Sequence, residues 1–238
     1  MRLLALIHGE NAGPGIFGEE ALAAGHTLDV ASFASDARPS GSFDALMVFG
    51  GAMNVHEVHG NPWIEEEREF VAGVLEDGIP TLGVCLGGQL VASVTGAEVA
   101  RVSTPEIGWH DVTLMPEAAD DPVLGGLSLL FKAYQWHSYG FALPAGAIPL
   151  ARSPICLQAY RLGDVTWGTQ FHAEVTEEIC RGWIEDFGSD PDAVAQDFDP
   201  DAARAAVSEH IAQWNELGRK LVGGFLAVAG ERAEALAA

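Results

Sequence analysis

Positive charge is scarce in this sequence. Only 12 of its 238 residues are lysine or arginine, against 34 aspartates and glutamates, so the formal net charge is −22. Just two of those cations are lysines, Lys132 and Lys220. Such a charge repels the phosphates of nucleic acids and the anionic surface of membranes. We therefore expect neither a nucleic-acid partner nor a membrane partner.

Cysteine is also scarce, and Cys85, Cys156 and Cys180 are the three that occur. An odd, sparse set without C-x-x-C spacing excludes a disulfide framework and disfavours a zinc site. We expect a cytoplasmic protein with no metal and no cofactor. Cys156 and Cys180 lie in a strand-like and a helix-like run, which indicates buried structural thiols.

Long hydrophobic runs are missing. The most apolar stretch, residues 79–97, contains four glycines, one proline and Gln89, which argues against a membrane span. Apolar residues still make up 48% of the chain, enough for a large core. Strand-like and helix-like runs alternate, which predicts βαβ units. The expected fold class is α/β, with a flavodoxin-like, doubly wound, mainly parallel sheet flanked by helices.

The sequence divides near residue 190. A breaker rich in glycine, aspartate and proline spans residues 188–192. Beyond it, apolar side chains recur at helical spacing from 202 to 229. About 50 residues are too few for an independent domain. We expect one domain over residues 1–190 and a helical extension over 191–238, which either covers that domain or forms a homodimer contact.

Two shorter patterns give local expectations. Separate strands are predicted over residues 97–102 and 109–115. Pro62 marks the start of a helix, and the three glutamates at 65–67 favour its dipole. We interpret these glutamates as a solvated helix face.

The most informative local pattern is G-V-C-L-G at residues 83–87. A strand-like run precedes it and a helix-like run follows it. It is the cysteine counterpart of the G-x-S-x-G nucleophile elbow, whose glycines permit a strained turn. A helix N-terminus would favour the thiolate of Cys85. A buried, inert cysteine is the more common outcome in proteins. This segment alone favours neither a reactive thiol nor a buried structural cysteine.

A catalytic thiol needs a base, and the base needs an orienting group. His172 and Glu174 follow a strand-like run, and residues i and i+2 of an extended chain point to the same side. Glu174 could then hold one imidazole nitrogen while the other serves the thiol. Without Cys85, a surface histidine and glutamate at the end of an edge strand would be the better interpretation.

A glycine pair supplies a further element. Gly50 and Gly51 follow a strand-like run, where a plain turn is the usual outcome. The backbone N–H of Gly51 could instead stabilise an oxyanion, with the N–H of Leu86 as the second donor. The sequence thus predicts an oxyanion hole at Gly51 and Leu86, beside the thiol.

In this order, the motifs resemble the class I, triad-type glutamine amidotransferase family. The resemblance covers about residues 1–190, and it is greatest to free-standing proteins similar to the amidotransferase domain of GMP synthase. The matching segments are F-G-G-A at 49–52, G-V-C-L-G-G-Q at 83–89, E-I-G-W at 106–109, Q-W-H-S-Y at 135–139 and Q-F-H-A-E at 170–174.

The resemblance implies roles for the substrate-binding side of the site. Gln89, with the backbone at Ser138 and Tyr139 in a loop, would hold the substrate's α-amino and α-carboxylate groups. The chain departs from the family at Gly88, where histidine is frequent, and at Ala173, where proline is frequent. Tyr139 replaces an acidic residue of many GMP-synthase-like members, which leaves the substrate open.

The reaction implied is hydrolysis of the side-chain amide of glutamine, or of a γ-glutamyl amide, through a Cys85 thioester. Ammonia or an amine would be released, and a separate synthetase subunit could receive the ammonia. One alternative is a γ-glutamyl peptidase or hydrolase that has no ammonia acceptor. A non-catalytic regulatory protein on the same fold and a cysteine redox sensor also remain open.

Overall fold

A nine-stranded sheet forms the centre of the protein. The computed structural model describes residues 1–35 and 37–237. In this part of the chain the strand order is β2-β1-β3-β4-β9-β8-β7-β5-β6. The strands are β1 (Arg2–Leu6), β2 (Thr27–Ala31), β3 (Ala45–Val48), β4 (Thr81–Val84), β5 (Val99–Leu114), β6 (Leu130–Phe141), β7 (Ile148–Arg152), β8 (Leu157–Leu162) and β9 (Thr166–Thr169).

Helices cover both faces of the sheet, as the predicted doubly wound α/β fold requires. They are α1 (Gly15–Ala23), α2 (Trp63–Glu76), α3 (Leu86–Val94), α4 (Glu177–Glu185), α5 (Pro191–Ala195) and α6 (Pro200–Ala237). The core on one face includes side chains of α1, α4 and α6, and the core on the other includes α2 and α3. The fold class is confirmed. No helix in the described ranges has the length and hydropathy to cross a membrane.

The first five strands in this order, β2, β1, β3, β4 and β9, are parallel to one another. β3 and β4 are buried at every position, because helices cover both of their faces. In such a sheet, ligands bind beyond the carboxyl ends of the strands. β3, β4 and β9 are neighbours, so the segments that follow them meet at one edge.

The other four strands, β8, β7, β5 and β6, extend the sheet in antiparallel fashion. Two local predictions are wrong here. The strands expected at 97–102 and 109–115 are one strand, β5, because a register shift between Arg101 and Glu106 lets the chain bend while it stays paired. The loop expected at 135–139 lies inside β6.

Helix α6 belongs to the core. It extends beyond the predicted helix at 202–229 in both directions. Its Trp214 packs against Phe131 and Phe171, with ring centroids 6.0 and 5.8 Å apart. This packing makes the C-terminal helix a cover over the antiparallel half of the sheet and over the end of β9.

Candidate active site

Three predicted segments converge at the carboxyl edge of the parallel strands. Cys85 directly follows β4, Gly50 lies just beyond β3, and His172 lies just beyond β9. A Cβ atom added at Gly50 would lie 2.9 Å from His172 Cε1 and 3.7 Å from Cys85 Cβ. The parallel register therefore brings together residues that are more than 80 positions apart in the chain.

Cys85 occupies a strained turn. Its φ of +53° is rare for a residue with a side chain, and such a conformation costs about 1–3 kcal/mol. The turn is possible because its glycines allow close approach. A Cβ at Gly87 would lie 2.0 Å from the carbonyl oxygen of Val48, and one at Gly83 would lie 2.6 Å from the backbone of Gly87. The predicted strand–turn–helix elbow is present.

Leu86 is the first residue of α3, immediately after the thiol. The first N–H groups of a helix have no intrahelical acceptor and carry the positive end of its dipole. Gly51 lies close by, since a Cβ there would lie 2.9 Å from Leu86 Cδ2. Gly51 and Leu86 both line the same cavity as Cys85.

His172 and Glu174 form a buried pair. Nδ1 of His172 lies 2.7 Å from Glu174 Oε1, and each side chain is 3% exposed. Because a carboxylate accepts, Nδ1 carries the proton, and Nε2 is left without a hydrogen bond to any described residue. Burial disfavours the imidazolium, but the negative charges of Glu174 and of a Cys85 thiolate outweigh it and raise the pKa of His172.

Gln170 is a site residue that the sequence reasoning left without a role. Its side chain is fully buried, and Nε2 donates to the sulfur of Cys85 at 3.5 Å. Its Oε1 accepts from Gln89 Nε2 at 3.2 Å. The sequence does contain a signal for this role, because Gln170 is a polar residue at the end of an apolar, strand-like run. A buried polar side chain needs hydrogen-bond partners.

Helix α6 holds the segment that carries the histidine. Trp214 Nε1 donates to the carbonyl oxygen of His172 at 2.7 Å, and Asn215 Nδ2 donates to that of Val175 at 2.8 Å. One turn along, a Cβ at Gly218 would lie 2.2 Å from the carbonyl oxygen of Ala173. The helix therefore contacts this segment closely along its length.

A second buried histidine supports the glycine pair. His8 Nδ1 donates to the carbonyl oxygen of Gly50 at 3.0 Å, and Nε2 donates to Glu67 at 2.9 Å. Burial works against the charged ring, yet Glu67 and Gly50 raise the pKa of His8. The interpretation of all three glutamates at 65–67 as a solvated face is wrong for Glu67. It is 1% exposed because α2 turns this position towards His8.

The predicted substrate-binding residues line one cavity of about 410 Å³, together with Cys85 and His172. Gln89 Nε2 donates to the carbonyl oxygen of Tyr139 at 2.9 Å. The hydroxyl of Ser138 donates to Asp192, a residue of α5 that the sequence reasoning did not assign to the site. Gln89, Ser138 and Tyr139 thus lie together, and the extension after residue 190 adds to the cavity wall.

A buried polar network lies behind Tyr139. His137 Nδ1 donates to the Tyr139 carbonyl oxygen at 2.9 Å, and Nε2 lies 3.2 Å from Glu106 Oε2. Glu106 also accepts from Gln158 at 2.8 Å and from Ser153 at 3.0 Å. Burial alone would raise the pKa of Glu106, but His137 and Ser153 lower it. The network fixes a carbonyl group at the cavity.

The other two thiols, Cys156 and Cys180, do not line the cavity that contains Cys85. Cys180 is buried and Cys156 is half-buried. Burial raises the pKa of Cys156 to about 12, and it raises the pKa of Cys180 further. Cys156 does approach Glu106 and His137, but the hydrogen bonds of Gln158 and Ser153 to Glu106 account for that grouping. Both thiols therefore remain protonated at neutral pH.

Fold and geometry together define a class of protein. It is an α/β domain with a cysteine, a histidine and a carboxylate grouped at the carboxyl edge of a parallel sheet. The family model described as glutamine amidotransferase class-I matches residues 20–186, more than two thirds of the chain. The chain belongs to the class-I glutamine amidotransferase family.

Three relatives differ in how much of their own length this chain covers. The glutamine amidotransferase-like protein YfeJ of Salmonella typhimurium is 27% identical over 192 residues, with 78% of this chain and 80% of the relative covered. A GMP synthase of Thermomicrobium roseum is 33% identical over 168 residues, with 67% and 30% covered. A glutamine-hydrolysing GMP synthase subunit of Sulfurisphaera tokodaii is 39% identical over 120 residues, with 47% and 62% covered. The chain thus spans under a third of the length of the whole GMP synthase from Thermomicrobium roseum.

Among solved structures, a glutamine amidotransferase from Thermotoga maritima has a TM-score of 0.83 to this chain. The two sequences are 26% identical, and the match covers 93% of this chain and 96% of the other. The similarity therefore extends beyond residue 186, into the part of the chain that contains α5 and α6.

Proposed function

We propose that this protein cleaves the side-chain amide of glutamine, or of a γ-glutamyl amide, through a thioester on Cys85. The observation that carries this proposal is the grouping of Cys85, His172 and Glu174 in one cavity, with the thiol on a strained elbow. Strained backbone of this kind persists where the surroundings over-determine it, and it clusters at catalytic positions.

The proposed reaction has two steps. The Cys85 thiolate attacks the δ-carbonyl carbon, and the carbon–nitrogen bond then breaks as His172 donates its Nε2 proton to the leaving ammonia or amine. Water, deprotonated by the same nitrogen, next attacks the thioester and releases glutamate and the thiolate. Glu174 holds Nδ1–H of His172 and so keeps the ring in the orientation that both steps need.

The oxyanion of each tetrahedral intermediate is assigned to the backbone N–H groups of Gly51 and Leu86. Donors aimed at a developing charge in a site shielded from water contribute strongly to catalysis. The position of Leu86 at the start of α3 supports its role. The role of Gly51 is supported by the buried pair of His8 and Glu67, which fixes the turn through Gly50.

The substrate's α-amino and α-carboxylate groups are assigned to Gln89 and to the backbone at Ser138 and Tyr139. Support comes from their common cavity and from the hydrogen bond between Gln89 and the Tyr139 carbonyl group. Two buried networks fix these positions, one through Gln170 and one through His137.

The fate of the nitrogen divides this proposal in two. In an amidotransferase, a separate synthetase subunit receives ammonia, and the Sulfurisphaera tokodaii relative, named as one subunit of a GMP synthase, supports this version. In a γ-glutamyl peptidase or hydrolase, water takes up the γ-glutamyl group in the same way, but the released ammonia or amine has no acceptor and no synthetase is needed. Tyr139, where the family often has an acidic residue, is consistent with a different substrate. A comparison of free glutamine with γ-glutamyl amides as substrates separates the two.

We further propose that residues 1–190 and the extension at 191–238 act as one unit. The hydrogen bonds of Trp214 and Asn215 to the segment that carries His172 support this arrangement. In this arrangement α6 covers its own domain, so a homodimer is not needed to complete the site.

The test is release of ammonia or amine by wild-type protein and by Cys85→Ala, measured with glutamine and with a panel of γ-glutamyl amides. The substitution should lower the rate by at least about 10⁴-fold, as for other nucleophiles within a triad. Cys156→Ala is the matched control and should keep the wild-type rate. Product release by Cys85→Ala at the normal rate would rule out the mechanism.

A further inference from the structure

Gln170 places a buried amide group against the thiol. The backbone N–H of Cys85 donates to the Thr169 carbonyl oxygen at 2.7 Å, so the residue that follows Thr169 lies beside the elbow. On the other side, the backbone N–H of Gln170 donates to the Gln158 carbonyl oxygen of β8 at 2.8 Å. The Gln170 side chain is fully buried, and its Nε2 lies 3.5 Å from the sulfur of Cys85. The amide therefore has a fixed place beside the sulfur.

The direction of this amide is set by a chain of hydrogen bonds. The chain starts at the carbonyl oxygen of Tyr139, which can only accept a hydrogen bond. Gln89 therefore turns its amide nitrogen towards that oxygen, at a distance of 2.9 Å. The same nitrogen also donates to Gln170 Oε1 at 3.2 Å. The nitrogen of Gln170 is thereby left to face the sulfur of Cys85 as a donor.

The opposite direction of the Gln170 amide is unfavourable. A flipped amide would bring its nitrogen against the nitrogen of Gln89, and buried N–H donors would lose their acceptors. Gln89 could turn in compensation only by setting its own oxygen against the Tyr139 carbonyl oxygen. His137 Nδ1 also donates to that carbonyl oxygen, at 2.9 Å. The chain therefore has one favourable polarity, and it ends in a donor at the sulfur.

A donor at the sulfur favours the thiolate over the thiol, because hydrogen bonds to an ionised acceptor are stronger than those to a neutral one. Two other groups are relevant to the charge of the sulfur. His172 lines the same cavity and is the base that the mechanism pairs with Cys85. The Trp136 carbonyl oxygen is an acceptor, which favours the S–H form, but it lies 4.0 Å from the sulfur. The contact from Gln170 is the shorter of the two.

We propose that Gln170 is a further catalytic residue, whose amide N–H stabilises negative charge on the Cys85 sulfur. This inference rests on the proposed function, because that function uses the thiolate as its nucleophile. When the thiol ionises, its proton passes to Nε2 of His172, and the negative charge stays on the sulfur beside the Gln170 amide. The contact acts again in the second step, when the carbon–sulfur bond breaks and its electron pair returns to the sulfur. Gln170 itself transfers no proton.

A purely structural role for Gln170 predicts a different result. Loss of a buried side chain that makes hydrogen bonds lowers stability wherever it occurs in the protein. Such a loss would not change the charge of the sulfur in molecules that are still folded. The decisive measurement is therefore the amount of thiolate in the folded protein, without substrate.

The experiment compares wild-type protein with Gln170→Met, whose side chain is similar in length but has no N–H donor. Thiolate at pH 7 is measured by its ultraviolet absorbance, with Cys85→Ala as the baseline, and by the rate of alkylation with iodoacetamide. The alkylation rate should fall at least about tenfold, with a matching loss of absorbance, as loss of a hydrogen bond to a charged atom implies. Equal thiolate in the two proteins would overturn the inference, and so would absence of thiolate in the wild-type protein.

Thr81→Val is the matched control. It removes the hydrogen bond of a fully buried hydroxyl to the Ile79 carbonyl oxygen, at the end of β4 away from the thiol. Its stability should fall, whereas its thiolate absorbance and alkylation rate should equal those of the wild-type protein. An equal loss of thiolate in Thr81→Val and Gln170→Met would show a general effect of lost buried hydrogen bonds and would overturn the inference.

A second variant keeps the test decisive if Gln170→Met does not fold. Gln89→Met leaves Gln170 in place but removes the donor that sets its direction. Alkylation should then slow about threefold, as partial weakening of a charge-assisted hydrogen bond implies. An unchanged rate in folded Gln89→Met would contradict the polarity argument and overturn the inference.

The reaction is followed separately, as release of ammonia or amine. If the wild-type protein releases no product but Gln170→Met loses thiolate, the inference stands and the proposed function fails. If the wild-type protein releases product and both proteins contain the same amount of thiolate, the proposed function stands and the inference fails.

Discussion

The two sides of the candidate site are built in different ways. The thiol side is local, because strand β4, the turn at Cys85 and helix α3 lie within about fifteen residues. The base side is assembled from distant parts of the chain. His172 is followed by a short irregular segment, and carbonyl groups of this region contact α6 at least 40 residues further on.

This difference explains what each side needs to keep its geometry. The elbow depends on glycines that allow strand and helix backbones to approach each other. The segment that carries His172 has no such internal constraint and is held by side chains of α6. A defect in the thiol side should therefore disturb the central sheet, whereas a defect in α6 should disturb the base while it leaves the thiol in place.

The largest effect on folding is expected at the elbow. In Gly87→Ala, the added methyl group would lie 2.0 Å from the Val48 carbonyl oxygen, so β3 and α3 must move apart. The free energy of unfolding should fall by about 2–3 kcal/mol. Gly73→Ala, a helical position with no atom within 4 Å of the new group, is the control and should be neutral or slightly stabilising. Denaturant unfolding of both variants measures these free energies. Equal values would show that the elbow does not depend on the close contact between Gly87 and β3.

A smaller effect on stability, but a clear one on activity, is expected on the base side. In Gly218→Ala, the methyl group would lie 2.2 Å from the Ala173 carbonyl oxygen and would push α6 and the histidine segment apart. We expect kcat to fall about 10- to 100-fold, because small displacements of a catalytic group are costly. Gly223→Ala, on the same helix with open space around it, should keep the wild-type kcat. If both variants were fully active, α6 would not position the base.

The third effect concerns charge on the base side. The carboxylate of Glu174 raises the pKa of His172, so the imidazolium persists at neutral pH and is lost only as pH rises through that raised value. In Glu174→Gln the pKa of His172 should fall, and less imidazolium would then be present to stabilise the thiolate at pH 7. Alkylation of Cys85 by iodoacetamide at pH 7 should slow about tenfold. An unchanged rate would show that the pair does not activate the thiol.

The sequence predicts the thiol side better than the base side for the same physical reason. G-V-C-L-G between a strand-like and a helix-like run describes the strand, turn and helix of the elbow, because these are contiguous in the chain, whereas the contact of Gly87 with Val48 of β3 is tertiary. His172 and Glu174 could be named from their spacing. The contacts that hold these two residues in place could not be predicted, since nothing in the sequence around Trp214 or Gly218 indicates which carbonyl groups they contact.

Two further features escaped sequence reasoning because they depend on tertiary contacts. Glu67 belongs to an acidic run whose other two members are exposed, and its partner His8 lies 59 residues away in the chain. The helix that carries Asp192 has five residues, too few for a periodic pattern. The contact of Asp192 with Ser138 follows from the position of this helix against β6. The fold class, by contrast, followed from the alternation of strands and helices along the chain.

The central claim is that Cys85 is a nucleophile activated within a site that binds glutamine. The most direct measurement is covalent labelling with 6-diazo-5-oxo-L-norleucine, a glutamine-like electrophile, followed by peptide mass spectrometry. We predict one adduct, at Cys85, whose formation is slowed by L-glutamine and lost in His172→Asn. Absence of labelling in native protein, or labelling at Cys156 without protection by glutamine, would contradict the claim.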